Sequence, residues 1–223
     1  MIFGKSLPCQ GDDAVALFAA AQFGLISQAQ ARRAGFNAED IAGRLRSGVW
    51  RRTLHRGVFR VLGYGTLASP LKRAVVAAQL ALAPGAFACR DTAARLWRLD
   101  GLPPWDGRTV DMGVRWRPGL EVCRSASPSV RIHALRIAEG DVVRRAPIRL
   151  TGVGRTLRDM AACSGKSTHT RLHGSAVGRG LLVAEGPRTL PRRQRAACRN
   201  RWQPAAAHDA RDGGEGRGEV REL

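Results

Sequence analysis

The residues best able to do chemistry in this chain are eight arginines that fall between residues 32 and 60. The same stretch holds only two acids, Glu39 and Asp40, and keeps enough apolar side chains to fold. Guanidinium groups bind phosphate oxygens through paired, charge-assisted hydrogen bonds, so a folded surface of this kind suits the backbone of duplex DNA. The eight are Arg32, Arg33, Arg44, Arg46, Arg51, Arg52, Arg56 and Arg60.

A plainer interpretation is that these side chains are the solvated surface of an arginine-rich protein. The chain has 223 residues and a formal net charge of +19, and all but three of its 37 basic residues are arginine. Part of such an excess reflects the codon bias of GC-rich genomes rather than any polyanionic partner. The clustering of the charge between residues 32 and 60, more than its total, favours nucleic acid.

Two other motifs carry weaker chemical signals. The run from Ser164 to Thr168 resembles the end of a phosphate-binding loop, but Met160 stands where that loop needs glycine, and the preceding segment is predicted to be helix rather than strand. His169 and His173 have helical i, i+4 spacing near Cys163, yet zinc would need further ligands. We therefore expect no cofactor, no metal site and no catalytic residues, and we predict that the protein is not an enzyme.

The elements that must position the arginines are three short helices and a hairpin. The first helix is predicted from a cap at Asp12 or Asp13 to about Phe23. Ser27 and Asn37 are good caps for the next two, and alternation then predicts a hairpin that turns at His55 to Gly57. The helices are placed at 12–23, 28–33 and 38–47 and the hairpin strands at 49–54 and 58–62. This order predicts a winged helix-turn-helix over 8–65, with the third helix in the major groove and the hairpin along a phosphate strand.

The predicted DNA contacts come from the starts of the second and third helices, the end of the third helix and the hairpin. Small residues at Ala42 and Gly43 leave the third helix few groups that could read base edges. Much of the affinity should therefore come from phosphate contacts. The predicted set is Ser27, Gln28, Asn37, Arg44, Arg46, Arg51, Arg52, His55 and Arg56, with His55 equally compatible with a solvent-facing, phosphate-contacting or core position.

The rest of the chain is predicted to be a small α+β domain over 69–185, followed by a basic disordered tail over 187–223. Ser69-Pro70 should begin a helix, and further helices are expected over 91–99 and 155–163. Strands are expected around residues 110–114, 130–134 and 148–150. After Ser164 the glycines at 174, 178 and 180 should interrupt any helix. The predicted fold class is α+β.

Cysteine usage and hydropathy bear on the compartment. The five cysteines are odd in number and irregularly spaced, at residues 9, 89, 123, 163 and 198. That pattern argues against a disulfide framework or a zinc ribbon. The sequence also lacks a leader-like start and an apolar run long enough for a bilayer. We expect a cytoplasmic protein with no membrane partner.

Several segments resemble the AbiEi-type antitoxins of type IV toxin–antitoxin systems. In the N-terminal part these are GLIS at 24–27, RLRSGVWRR at 44–52 and HRGVFRV at 55–61. In the middle part AARLWRLDG at 93–101 is similar to the family's A-A-x-L-W-x-L-D-G, and DVVR at 141–144 with RTLRDMA at 155–161 is similar to its D-V-x-R and R-T-L-x-D-L-A segments. The resemblance covers about residues 12–163.

The resemblance implies a DNA-binding regulator that represses its own operon by binding double-stranded DNA at its promoter. In paired systems such a protein opposes a nucleotidyltransferase-like toxin without forming a stable complex with it. Many relatives continue into a Vsr-like endonuclease domain, which we expect to be absent here. A truncated or frameshifted remnant would account for the glycine- and arginine-rich stretch after Gly165.

Two alternatives remain open from the sequence. In the first, the winged helix is the DNA-binding portion of a truncated protein associated with a Vsr-like endonuclease. In the second, the chain is a general nucleic-acid binder with no operator. The neighbouring genes would separate the first alternative from the antitoxin, and footprinting would separate the second.

Overall fold

The structure, a computed structural model, describes residues 7–65, 67–82, 84–117 and 129–182. Within these ranges the chain is a mixed α+β protein with seven helices and two sheets, so the predicted class is confirmed at that level. We call residues 7–65 the N-terminal unit and residues 67–182 the C-terminal unit. The predicted tail at 187–223 lies outside the described residues.

The N-terminal unit has the order helix, strand, helix, helix, strand, strand. Its elements are α1 (Gly11–Ala21), β1 (Leu25–Ser27), α2 (Gln28–Arg33), α3 (Ala38–Arg46), β2 (Trp50–Arg52) and β3 (Val58–Val61).

Both predicted helix caps at Ser27 and Asn37 are confirmed. Each forms a capping box, in which the cap side chain accepts from a backbone N–H three residues on and the side chain there accepts from the cap. The predicted cap of α1 was wrong by two to three residues, because the N-cap is Gln10 and the helix begins at Gly11. Asp12 and Asp13 lie instead inside its first turn. Their negative charges there interact favourably with the positive end of the helix dipole and stabilise the helix.

The strands of the N-terminal unit form an antiparallel sheet in the order β1-β3-β2. The hairpin of β2 and β3 was predicted, although its strands are shorter than expected. Strand β1 was not predicted, since three residues cannot display an alternation of their own. It is defined by its pairing with β3, in which Ile26 lies opposite Phe59.

The two faces of this sheet have different neighbours. Ile26, Trp50, Phe59 and Val61 pack with the three helices, and the Trp50 ring lies 5.8 Å from Phe59 and 5.5 Å from Phe36. On the opposite face, Leu25 and Val58 belong to the core cluster of the C-terminal unit, together with α4 and the second sheet. The two units therefore share buried apolar surface.

The C-terminal unit surrounds a five-stranded sheet in the order β6-β5-β4-β8-β7. Strand β4 pairs parallel with β8 and antiparallel with β5, β5 pairs parallel with β6, and β7 pairs antiparallel with β8. The short strand β4 and the exposed edge strand β7 were not predicted. The elements are α4 (Pro70–Ala81), β4 (Phe87–Ala88), α5 (Arg90–Leu96), β5 (Val110–Arg115), β6 (Val130–Leu135), β7 (Val142–Arg145), β8 (Ile148–Thr151), α6 (Val153–Cys163) and α7 (Lys166–Gly178).

The expectation that glycines interrupt any helix after Ser164 was wrong. Helix α7 passes through Gly174 without a break. A glycine inside a helix costs only about 1 kcal/mol relative to alanine, and packing of an apolar face can outweigh that cost. Here Leu172 and Ala176 are fully buried against Leu157 and Met160 of α6. Helix α5 also differs from its prediction, since it ends at Leu96, before the left-handed backbone of Arg98.

Candidate nucleic-acid interface

Four of the predicted arginines have exposed side chains near the end of α3 and along the hairpin. Arg46 is the last residue of α3, Arg51 and Arg52 belong to β2, and Arg56 lies in the hairpin turn. Helix α3 passes into β2 through only three residues, 47–49. The chain therefore brings a basic helix end and a basic strand close together, and we call these four side chains the basic edge.

The two arginines of β2 lie on opposite faces of the sheet. Neighbouring residues in a strand point to opposite sides, and Trp50 at the start of β2 is buried on the side of the helices. Arg52 shares that side, whereas Arg51 lies opposite Arg60 on the side of Leu25. Because β2 is an edge strand, both side chains still reach solvent. A duplex would have to meet the edge of the hairpin, not one flat face, to touch both.

The hairpin turn is held in one shape by a side chain. The Thr53 hydroxyl lies within hydrogen-bond distance of the carbonyls of His55 (3.2 Å) and Val58 (3.0 Å), and it accepts from the His55 N–H (3.1 Å). Gly57, in this turn, has φ +74°, a conformation that glycine adopts without steric cost. The turn therefore presents Arg56, and beside it Leu54 with 79 % of its surface exposed, on a fixed frame.

His55 adds no positive charge to this surface at neutral pH. Its side chain is half-buried, and desolvation lowers the pKa of the imidazole below its ordinary value. A neutral ring can still donate or accept one hydrogen bond to a phosphate or a base. Its contribution would then be local and insensitive to salt.

Arg44 differs from the basic edge because its guanidinium already has partners within the fold. Its Nη2 lies 2.6 Å from the Asp12 carboxylate of α1, and the group sits 5.6 Å from the centre of the Phe36 ring. These contacts fasten α3 to α1. Binding a phosphate through Arg44 would compete with this ion pair.

The three polar residues predicted to contact DNA from helix starts hold the fold together. Ser27 is buried, with its hydroxyl accepting from the Gln30 N–H at 3.2 Å, and Asn37 accepts from two N–H groups of α3 at 2.8 and 2.9 Å. The Gln28 N–H donates to the Gly57 carbonyl at 2.7 Å and so joins α2 to the hairpin turn. Asn37 remains exposed, and DNA contact by these residues stays a prediction.

Arg60 belongs to the cluster between residues 32 and 60 but was not among the predicted DNA contacts. Arg60 of β3 is half-buried beside Arg51, and its Nε has no hydrogen-bond partner among the described residues. Its place in the 32–60 cluster marked it as basic, but nothing in the sequence distinguished it from the others. Only the strand register places it next to Arg51.

The phosphate-loop-like run and the histidine pair do not have the structural setting that their chemistry needs. Ser164 and Gly165 connect α6 to α7, and residues 166–168 form the first turn of α7, so a helix precedes the run where a phosphate-binding loop needs a strand. The rings of His169 and His173 lie 6.4 Å apart. Over the described ranges, no three His, Cys, Asp or Glu side chains gather in a way that could hold a metal ion.

Two further features of the chain are the length of its helices and its similarity to known proteins. None of the helices in the described part of the chain combines the length and the apolar character needed to cross a membrane. Neither a protein-family profile nor a curated protein sequence matches the chain.

Proposed function

We propose that the chain is a DNA-binding transcriptional regulator whose N-terminal unit is a winged helix. The observation that carries the proposal is the exposure of Arg46, Arg51, Arg52 and Arg56 along one helix end and one hairpin. The element order and the strand order β1-β3-β2 support it, since a winged helix places three helices against such a sheet. In this arrangement α3 enters the major groove and the hairpin follows a phosphate strand.

The chemistry of the surface favours phosphate contact over base reading. The exposed start of α3 carries Glu39 and Asp40, which a duplex would repel, and the next turn holds the small, partly buried residues Ala42 and Gly43. The basic edge lies at the other end of the helix and in the hairpin. About five phosphate contacts would give a log–log salt slope of about −5, so binding should be strongly salt-dependent.

In its biological role we propose an antitoxin of the AbiEi type that represses its own operon. The support is the set of motifs between residues 12 and 163 that resemble that family. Such a protein acts on the promoter and opposes a nucleotidyltransferase-like toxin without a stable complex. DNA binding alone would also fit a binder that has no operator, so the two must be separated by experiment.

The test of DNA binding is a charge-matched pair of triple variants, Arg51→Ala/Arg52→Ala/Arg56→Ala and Arg108→Ala/Arg144→Ala/Arg158→Ala. All six side chains are exposed, and the second set lies in the C-terminal unit. Fluorescence anisotropy with a labelled duplex at several salt concentrations should give a salt slope flatter by about three units for the hairpin variant only. An equal loss in both variants would mean that net charge, not the hairpin, attracts the duplex.

Footprinting on the DNA upstream of the gene tests the regulator. A protected segment of defined length is the expected result, and the hairpin variant should lose it. Uniform weak protection along the fragment would instead identify a binder without sequence preference, and the antitoxin proposal would be abandoned.

A further inference from the structure

A basic cleft of about 560 Å³ lies where the N-terminal unit meets the C-terminal unit. Its lining includes Phe23 from the turn between α1 and β1 and Lys72 of α4. It also includes Trp97 and Arg98 at the end of α5, and Arg145 of β7. Binding pockets for small molecules have volumes of roughly 300–1,000 Å³ and often lie between structural units. The cleft is separate from the basic edge, none of whose residues lines it.

Four cations and no acid line this cleft: Lys72, Arg98, Arg145 and Arg179. Arg179 has an ion pair with the exposed Asp100, at 3.3 Å. In the described part of the chain the other three side chains have no carboxylate within ion-pair distance. Cations gathered in a concave site with low-dielectric walls raise the local concentration of anions. The charge pattern indicates an anionic ligand with more than one negative charge.

The wall of the cleft offers flat and apolar surface beside these cations. The Trp97 indole N–H donates to the Thr151 carbonyl at 2.9 Å, which fixes the orientation of the ring. The Arg145 guanidinium lies 4.9 Å from the centre of that ring. The buried side chains of Ile148 and Leu150, and Phe23 of the N-terminal unit, also line the cleft. A ligand that joins phosphate groups to a planar ring would match both parts of the surface.

Helix ends hold two of the lining residues in place. Phe23 (φ +58°) and Arg98 (φ +59°) have a left-handed backbone and directly follow the C-caps of α1 and α5. The Gly24 N–H donates to the Ala19 carbonyl at 2.7 Å, and the Leu99 N–H donates to the Ala94 carbonyl at 3.0 Å. These are the hydrogen bonds of Schellman motifs, so the two residues sit at fixed helix ends.

We propose that the cleft binds a nucleoside polyphosphate, with Lys72, Arg98 and Arg145 on the phosphates and the base against Trp97 and Phe23. The proposal does not depend on DNA binding, because it concerns a different surface. A ligand held there would contact both units at once.

The test uses the full chain and isothermal titration calorimetry with three probes: ATP, inorganic triphosphate and adenosine. The expected result is one ATP per chain, with triphosphate and adenosine each binding at least about tenfold more weakly. Triphosphate binding as tightly as ATP would overturn the nucleotide assignment, because it would leave the ring surface without a role. Absence of ATP binding would overturn the site itself.

The matched variants are Arg145→Met and Arg144→Met. The methionine at 145 keeps apolar contact with Trp97 while removing the charge, and Arg144 is the neighbour on the same strand that does not line the cleft. ATP affinity should fall about tenfold for Arg145→Met and stay within about twofold for Arg144→Met. Equal losses would indicate non-specific polyanion binding and would count against the cleft.

A short duplex added as competitor distinguishes the cleft from a part of the DNA surface. ATP affinity unchanged by the duplex, or shifted without full displacement, agrees with a separate site. Complete displacement of ATP, together with loss of duplex binding in Arg145→Met, would assign the cleft to the nucleic-acid interface and overturn the proposal. Thermal melting of each variant confirms that it is folded before binding is measured.

Discussion

Two arginines of α3 that are two positions apart have different surroundings. Arg44 forms an ion pair with Asp12 and covers the Phe36 ring, whereas Arg46 is exposed at the helix end. Sequence reasoning placed both among the DNA contacts because they share a residue type and a helix. The ion pair that distinguishes Arg44 from Arg46 is made with Asp12, which lies 32 positions away from Arg44 along the chain. A contact of that kind cannot be read from local spacing.

We predict that Arg44→Ala and Arg46→Ala separate stability from binding. Arg44→Ala should lower the free energy of unfolding by about 0.5–2 kcal/mol, since it removes one surface ion pair and one cation–π contact, each worth at most about 1 kcal/mol. Arg46→Ala should leave stability within about 0.5 kcal/mol and reduce duplex affinity. Urea denaturation and anisotropy on the same samples measure both effects. The reverse pattern would place the phosphate contact at Arg44.

At the scale of elements, segments with a local chemical signal were predicted and segments defined by partners were not. The caps Ser27, Asn37 and Ser69 act through hydrogen bonds within three residues, so the starts of α2, α3 and α4 could be located from sequence. Strands β1 and β4 have three and two residues and exist through pairing with distant strands. Helix α7 was missed because its glycines are offset by burial against α6.

The two functional surfaces also differ in how far local sequence determines them. The arginines of the basic edge follow one another closely in sequence, and their exposure follows from their positions at a helix end and in a hairpin. The basic cleft could not be predicted, since its lining residues extend from Phe23 to Leu181 and come together only through packing of the two units. Strand register, likewise, was needed to separate Arg51 from Arg52.

The end of the N-terminal unit packs closely against the backbone of the turn after α1. A Cβ atom added at Gly65 would lie 2.0 Å from the carbonyl carbon of Phe23, whereas at Gly63 it would meet nothing within 4 Å. Both glycines have positive φ, +68° and +85° respectively. Both positions therefore require a left-handed backbone, but only Gly65 also lacks room for a Cβ atom.

We predict that Gly63→Ala and Gly65→Ala differ strongly in stability. Gly63→Ala should cost about 1–2 kcal/mol, the strain of a left-handed alanine. Gly65→Ala should cost about 3 kcal/mol or more, because the backbone at Phe23 must also move. Chemical denaturation of the two variants gives the comparison. Similar losses of stability in the two variants would mean that the turn after α1 shifts freely. The packing of Gly65 would then not hold the backbone of Phe23 in place.

On the scale of the whole molecule, the shared core should make the two units unfold together. The N-terminal sheet lies between its own helices on one face and α4 on the other, where Leu25 and Val58 are each only 1 % exposed. Removing the C-terminal unit would uncover these side chains and leave a sheet with one bare apolar face. The division into 8–65 and 69–185 therefore describes the order of elements in the chain and does not imply independent folding.

This coupling can be measured with Ile26→Ala, which opens a cavity in the N-terminal core on the far side of the sheet from Leu25. Such a truncation costs about 2–5 kcal/mol. In native-state hydrogen exchange, the amides of β5 and β8 should lose as much protection as those of β3, because cooperative unfolding exposes all of them at once. Leu150→Ala in the second sheet is the reciprocal variant. It should lower the protection of the β3 amides by the free energy of unfolding that this truncation costs. If each variant affected only its own unit, the core around Leu25 and Val58 would be too weak to make the two units unfold together.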